Sequence, residues 1–205
     1  MTTALCERIW LWFVLLTSVG VAFYALSFAS GRAFPPGVTE NTAGYPVLFV
    51  HVMSAGVALL CGPWQFLTAL RARWLRVHRI VGQVYIVACL IGAVAGGWLA
   101  WGTFAGPVAR WGFLLLAVFW FITTVQGYLA ARRRDFVAHR AWIIRSFALA
   151  FAAVTLRIYL PLSLVAGVSF LVAYPIISWA CWVPNLLAAE LYLRARPRPA
   201  RITVS

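Results

Sequence analysis

Gln65-Phe-Leu-Thr-Ala-Leu-Arg-Ala-Arg-Trp-Leu-Arg-Val-His78-Arg79 and Gln126-Gly-Tyr-Leu-Ala-Ala-Arg-Arg-Arg-Asp-Phe-Val-Ala-His139-Arg140 are two polar stretches, and each separates two long apolar runs. Aligned at an offset of 61 positions, they share Gln65 with Gln126, Ala69 with Ala130, Arg71 with Arg132, Arg73 with Arg134, His78 with His139 and Arg79 with Arg140. Working outward from them, six apolar runs emerge: 9–29, 47–70, 80–104, 112–131, 146–165 and 170–193. A helix of about 20 apolar residues crosses a bilayer core, and only a helix or a closed barrel satisfies its backbone there. The fold class expected is therefore an all-α integral membrane protein with six transmembrane helices. Residues 1–195 form one domain and residues 196–205 a polybasic cytoplasmic tail. The first run is longer than a signal-peptide core and reads as a retained helix.

Composition narrows the function. The chain has 205 residues, 64% hydrophobic and 10% charged, with a net charge of +13 and a mean hydropathy of +0.91. A water-soluble enzyme, a soluble nucleic-acid binder, a disordered tail and a disulfide scaffold are all excluded. All 17 basic residues are arginine, so neither Schiff-base catalysis nor a phosphate-loop lysine is available. The four acids are Glu7, Glu40, Asp135 and Glu190, and the four cysteines lack C-x-x-C spacing.

With the N-terminus inside, 14 of the 17 arginines fall on the cytoplasmic side, as the positive-inside rule requires. Both termini are then cytoplasmic in a multi-pass protein of the cell inner (plasma) membrane. Arginine-rich loops after apolar helices can resemble one another by chance, but the matched His-Arg and Gln favour duplication, and a repeat that keeps its sidedness is a parallel one. Helices two plus three and helices four plus five read as related hairpins that build a central four-helix bundle, flanked by helices one and six.

Three histidines are available for chemistry. His78 and His139 are repeat-equivalent and begin helices three and five, which would stand diagonally in the bundle at one depth. Two imidazoles meeting across a cavity can grip a haem iron axially. Gly82, Tyr85, Cys89, Gly92 and Gly96 follow His78 at helical spacing, and Ser146, Ala150, Ala153 and Arg157 follow His139. Both stripes are dominated by small residues, which permit either close helix packing or room for a macrocycle. Arg79, Arg140 and Arg145 cluster where haem propionates want guanidinium partners. The plainer reading of the histidines is a polar boundary that snorkels to the headgroups.

A second polar site is expected around His51 and Arg157, with Asn185 and Glu190 on helix six as further members. A buried arginine faces the protein interior or a watery cavity, and the plainer alternative bonds it to backbone carbonyls. Glu190 pairs with Arg194 at i+4 or orients Arg145 or a histidine. Pro184 should kink helix six, with Asn185 helping to satisfy the carbonyl it frees.

The runs His78-Arg-Ile-Val-Gly-Gln-Val-Tyr85, His139-Arg-Ala-Trp-Ile-Ile-Arg-Ser146, Ala152-Ala-Val-Thr-Leu-Arg157 and Trp182-Val-Pro-Asn-Leu-Leu-Ala-Ala-Glu190 resemble a bacterial family of predicted membrane proteins filed as a domain of unknown function. The resemblance covers about 46–194 and implies a shared fold without an activity. More remotely, a His-Arg-x-x-Gly opening helix three with a histidine on helix five is similar to the transmembrane b-type cytochromes, including ferric reductases. That similarity implies His78 and His139 as axial ligands of one haem b. It fails for a second haem, because Gly92 and Ala153 stand where those families place further histidines.

The expected function is a single-haem, b-type cytochrome-like membrane protein exchanging electrons with a lipid-soluble, quinone-like partner in the bilayer, with no nucleic acid involved. The alternative is a non-redox protein, either a transporter-like or small-molecule-binding bundle or an intramembrane enzyme, that uses His51 and Arg157. Enzymatic activity and oligomeric state are left open.

Overall fold

The structure, a computed structural model, describes residues 2–30 and 41–195. The expected tail, 196–205, and Arg32 and Glu40 lie outside them. Among the described residues six helical spans are long and apolar enough to cross a membrane, each 22 to 30 residues long. At about 1.5 Å per residue each covers the roughly 30 Å hydrocarbon layer. The chain is an all-α, multi-pass membrane protein.

The spans are built as follows. Helix α1 (Thr2–Leu26) ends in a 3-10 turn, Ser27–Ser30. Helix α2 (Tyr45–Cys61) starts with Pro46 in its first turn, where a missing N–H costs nothing. It stops at Gly62 because Pro63 cannot donate, and a 3-10 turn, Pro63–Phe66, leads to the short α3 (Thr68–Arg73). The second apolar run is thus two helices and a turn rather than the one continuous helix expected over 47–70. Helix α4 (Leu75–Trp101) follows. Asn41 closes the far end of this pair by donating from Nδ2 to the Leu99 carbonyl at 2.8 Å.

Helix α5 (Gly106–Arg132) returns to the arginine-rich end. The chain reverses through Arg134, which has a positive φ of 60°. Asp135 then caps the next helix, its Oδ1 accepting from the Ala138 N–H at 2.9 Å. Because of that cap the fifth span begins at α6 (Phe136–Ala150), ten residues before its apolar run at 146; His139 stands in the first turn, as expected, and Arg140 and Arg145 ride on the same helix. The span breaks at Phe151 and continues as α7 (Ala152–Val165). The sixth is α8 (Phe170–Ala180) and α9 (Val183–Ala195), interrupted just before Pro184.

Packing follows from lipid as solvent. Trp98 and Leu162 are more than 60% exposed, while the core is rich in alanine: Ala22, Ala58, Ala93, Ala109, Ala150 and Ala152. Without water to drive apolar faces together, small residues are what let transmembrane helices approach. At Gly92 a Cβ would sit 3.0 Å from the Trp120 ring. Helix α2 packs on α4, α4 on α5, α5 on α6, and α1 on α2, with α8 against α5 and α9 against α6. Helices α4 and α6 share no comparable seam.

Candidate functional site

His78 and His139 occupy the same place in their helices, the fourth residue of α4 and the fourth of α6. His139 Nδ1 lies 2.8 Å from the Gly127 carbonyl on α5. A carbonyl only accepts, so Nδ1 is the donor of this bond and Nε2 is the nitrogen left over. Gly127 permits this approach: a Cβ there would come within 2.7 Å of Ile143 Cδ1. His78 Nδ1 is buried without a hydrogen-bond partner, as is Gln65 Nε2, whose side-chain oxygen rests on Gly82 one turn above His78. The two histidines are near enough for their charges to interact, with Arg71 and Arg79 also close to His78. Arg79 and Arg140 are exposed.

Arg145 stands differently from the other two arginines. Its Nε and Nη2 both donate to Glu190, the second bond at 3.0 Å, and its guanidinium lies 4.8 Å from the centre of the Trp142 ring. The fork is filled by a bidentate carboxylate. Arg145 therefore joins α6 to α9 and leaves the histidine end to Arg79 and Arg140. Glu190 makes these bonds across helices rather than to Arg194 in its own helix.

Two turns beyond the histidines, Tyr85, Ser146 and Thr124 form a fully buried chain. Tyr85 Oη lies 2.9 Å from Ser146 Oγ, which lies 2.8 Å from Thr124 Oγ1. Thr124 donates at 2.7 Å to the Trp120 carbonyl, so every proton in the chain points one way, from Tyr85 to Ser146 to Thr124. This contact closes the diagonal between α4 and α6. It leaves about 10 Å of helix length between itself and the histidines. Residue spacing marks Tyr85 and Ser146, which stand at the repeat offset of 61, and gives no signal for Thr124.

The second expected site separates into three places. His51 Nδ1 is 2.9 Å from the Gly92 carbonyl, and its ring lies on Gly96, where a Cβ would sit 2.9 Å from Cε1. Arg157 Nη1 donates to the Ala153 carbonyl at 2.9 Å, and the guanidinium faces the Tyr24 ring at 5.7 Å. Both line a cavity of about 30 Å³ whose other wall is Val21 and Ala25 of α1. Asn185 is not there: its Nδ2 donates to the carbonyls of Cys181 at 2.9 Å and Ala148 at 3.3 Å. It also reaches Thr155 Oγ1 at 3.3 Å, and so fastens the broken sixth span to the break in the fifth. Glu190 is with Arg145. Contacts at the helix breaks depend on which way each half-helix faces, and residue spacing does not carry that.

An open groove of about 560 Å³, lined by Val47, Val50, Ile91, Val94, Trp98 and Phe121 among others, is entirely apolar. It offers lipid a surface and no chemistry.

No curated protein and no solved structure matches the chain. The family described as "Predicted membrane protein (DUF2306)" matches residues 48–193, which takes in nearly all of the chain from α2 to α9, both repeat histidines, the buried hydroxyl chain, His51 and Arg157, and the chain belongs to that family.

Proposed function

We propose that this chain is a membrane-embedded b-type cytochrome that holds one haem b between His78 and His139 and exchanges electrons with a lipid-soluble, quinone-like partner. The observation that carries this reading is the bond from His139 Nδ1 to the Gly127 carbonyl. It sets the tautomer and orientation that leave Nε2 for an iron, as the outer-shell partner of a metal-bound histidine does. The repeat-equivalent His78 lies nearby on the diagonal helix, its Nδ1 still without an acceptor. Among the described residues no three or more His, Cys, Asp or Glu come together. A porphyrin needs only the two axial ligands from the protein.

The remaining residues fit such a group. Arg79 and Arg140 are exposed beside the histidines and offer guanidinium forks to propionates. The buried Tyr85–Ser146 contact lies two helical turns deeper in the membrane than the histidines. When bound, the haem supplies a one-electron couple. The chain's own part would be to aim the imidazoles of His78 and His139 and to balance the carboxylates with Arg79 and Arg140.

The arginine distribution supports a cytoplasmic position for this end and for both termini, in the plasma membrane. The shared offset of 61 supports descent from a duplicated hairpin. The test is an absorption spectrum of protein purified after expression with ample haem. A Soret band is expected, lost in His78→Ala and His139→Ala and kept in His51→Ala. A folded wild-type protein without the band would overturn the reading.

The non-redox alternative has one specific observation in its favour, the recess shared by His51 and Arg157. Its volume of about 30 Å³ corresponds to one or two water-sized species, too small for a quinone ring.

A further inference from the structure

Arg157 belongs to the seventh helix and sits well inside the 136–165 span, where a cation needs a partner or water. A guanidinium has five N–H donors, and among the described residues one of Arg157's is used, on the Ala153 carbonyl. The Tyr24 ring face adds attraction without accepting a conventional hydrogen bond. Among the described residues the salt bridge of Arg145 with Glu190 is the one pairing of a guanidinium with a carboxylate, and it lies at the other end of the bundle.

Beside this cation is the cavity of about 30 Å³. Its wall is otherwise apolar, small residues such as Ala25, Ala55, Gly56 and Ala153, with a single further polar side chain, His51. The Gly92 carbonyl holds His51 Nδ1 as a donor, so Nε2 is the remaining polar atom of the ring. The space is right for one small ion and too small for an organic head group. The sign is set by Arg157.

We propose that this recess binds a small monovalent anion of chloride size, held by the Arg157 guanidinium with His51 as the opposite pole. The site is independent of the haem reading. An anion facing Nε2 is repelled by the lone pair of a neutral ring and bonded by the N–H of an imidazolium, so it enters together with a proton on His51. The other groups facing the pair are Tyr24 from α1, the Gly92 carbonyl from α4 and, toward Arg157, Tyr174 from α8. None of them is a carboxylate.

The experiment is chloride-35 line broadening on the full chain in detergent micelles, titrated with bromide at constant ionic strength. The wild type should show saturable excess broadening that bromide removes, tightening as pH falls by at most about tenfold per unit, the limit for one linked proton. Ala55→Met fills the recess while leaving both polar side chains in the sequence; it should keep wild-type helicity and lose the signal at least tenfold. Arg157→Gln should lose it as well. Broadening no greater than that of empty micelles, or an undiminished signal in folded Ala55→Met, would overturn the proposal.

Discussion

Tyr85 and Ser146 are 61 positions apart, and their hydroxyl oxygens meet at 2.9 Å across α4 and α6. The same offset separates His78 from His139. Residues related by a parallel repeat touch each other only near the axis that relates the two copies, so this contact marks where such an axis would run. Helix α5 supplies Thr124, which takes the proton of Ser146 and passes its own to the Trp120 carbonyl.

The direction of that chain predicts unequal effects along it. Tyr85→Phe removes one donor from an oxygen that still donates to Thr124, and should cost about 1 kcal/mol. Thr124→Val strands the Ser146 proton in a dry core and should cost about 2 kcal/mol. Unfolding of the purified protein in mixed micelles measures both, and the double variant should cost less than the sum.

Arg145 and Glu190 tie α6 to α9 through two parallel bonds, with each side chain under one-third exposed. Removing one partner leaves the other charge half-buried. Glu190→Ala should therefore destabilise by about 1–2 kcal/mol, and adding Arg145→Met should recover part of it, because the second change removes the orphaned cation. Equal, additive losses in a double-mutant cycle would count against a direct pair.

Gly62 ends α2 in ordinary helical geometry, so a larger residue is not excluded by the backbone there. A Cβ would nevertheless come within 2.5 Å of two Phe147 ring carbons and 3.0 Å of the Ala58 carbonyl. Overlap with a buried ring outweighs the roughly 1 kcal/mol that alanine gains over glycine in a helix. Gly62→Ala should lower stability by about 1–3 kcal/mol, measured by thermal unfolding in detergent, whereas Gly20→Ala, with open space around it, should raise it or leave it unchanged.

Topology has a direct check. Arg133, after α5, and Ser169, before α8, are exposed and lie at opposite ends of the bundle. With the native cysteines replaced, Ser169→Cys should react with a membrane-impermeant maleimide in intact cells, and Arg133→Cys should react only after lysis. The reverse pattern would invert the orientation drawn from the arginines.

His139, Glu190 and Asn185 mark how far the sequence carries. The six spans and the apolar, all-helical class were legible because a bilayer imposes a length, and a run of about 20 apolar residues meets it whatever its neighbours do. The two histidines and their matching neighbours were legible from a fixed offset. The start of α6 at Phe136 was not, because the apolar run begins only at Ser146 and it is the Asp135 cap that sets where the helix opens ahead of His139.

What the sequence by itself determined is one-dimensional: where the chain crosses, which ends collect arginine, and which residues stand at equal depth. The tertiary structure alone decided which residues at one depth meet. Glu190 faces Arg145, 45 positions away, rather than Arg194 one turn on. Asn185 went to the Cys181 and Ala148 carbonyls instead of the His51–Arg157 recess. Both outcomes depend on how α9 is rotated after the break at Cys181 and Trp182. That rotation is set by the fit of small residues between helices, which spacing along a single helix does not record.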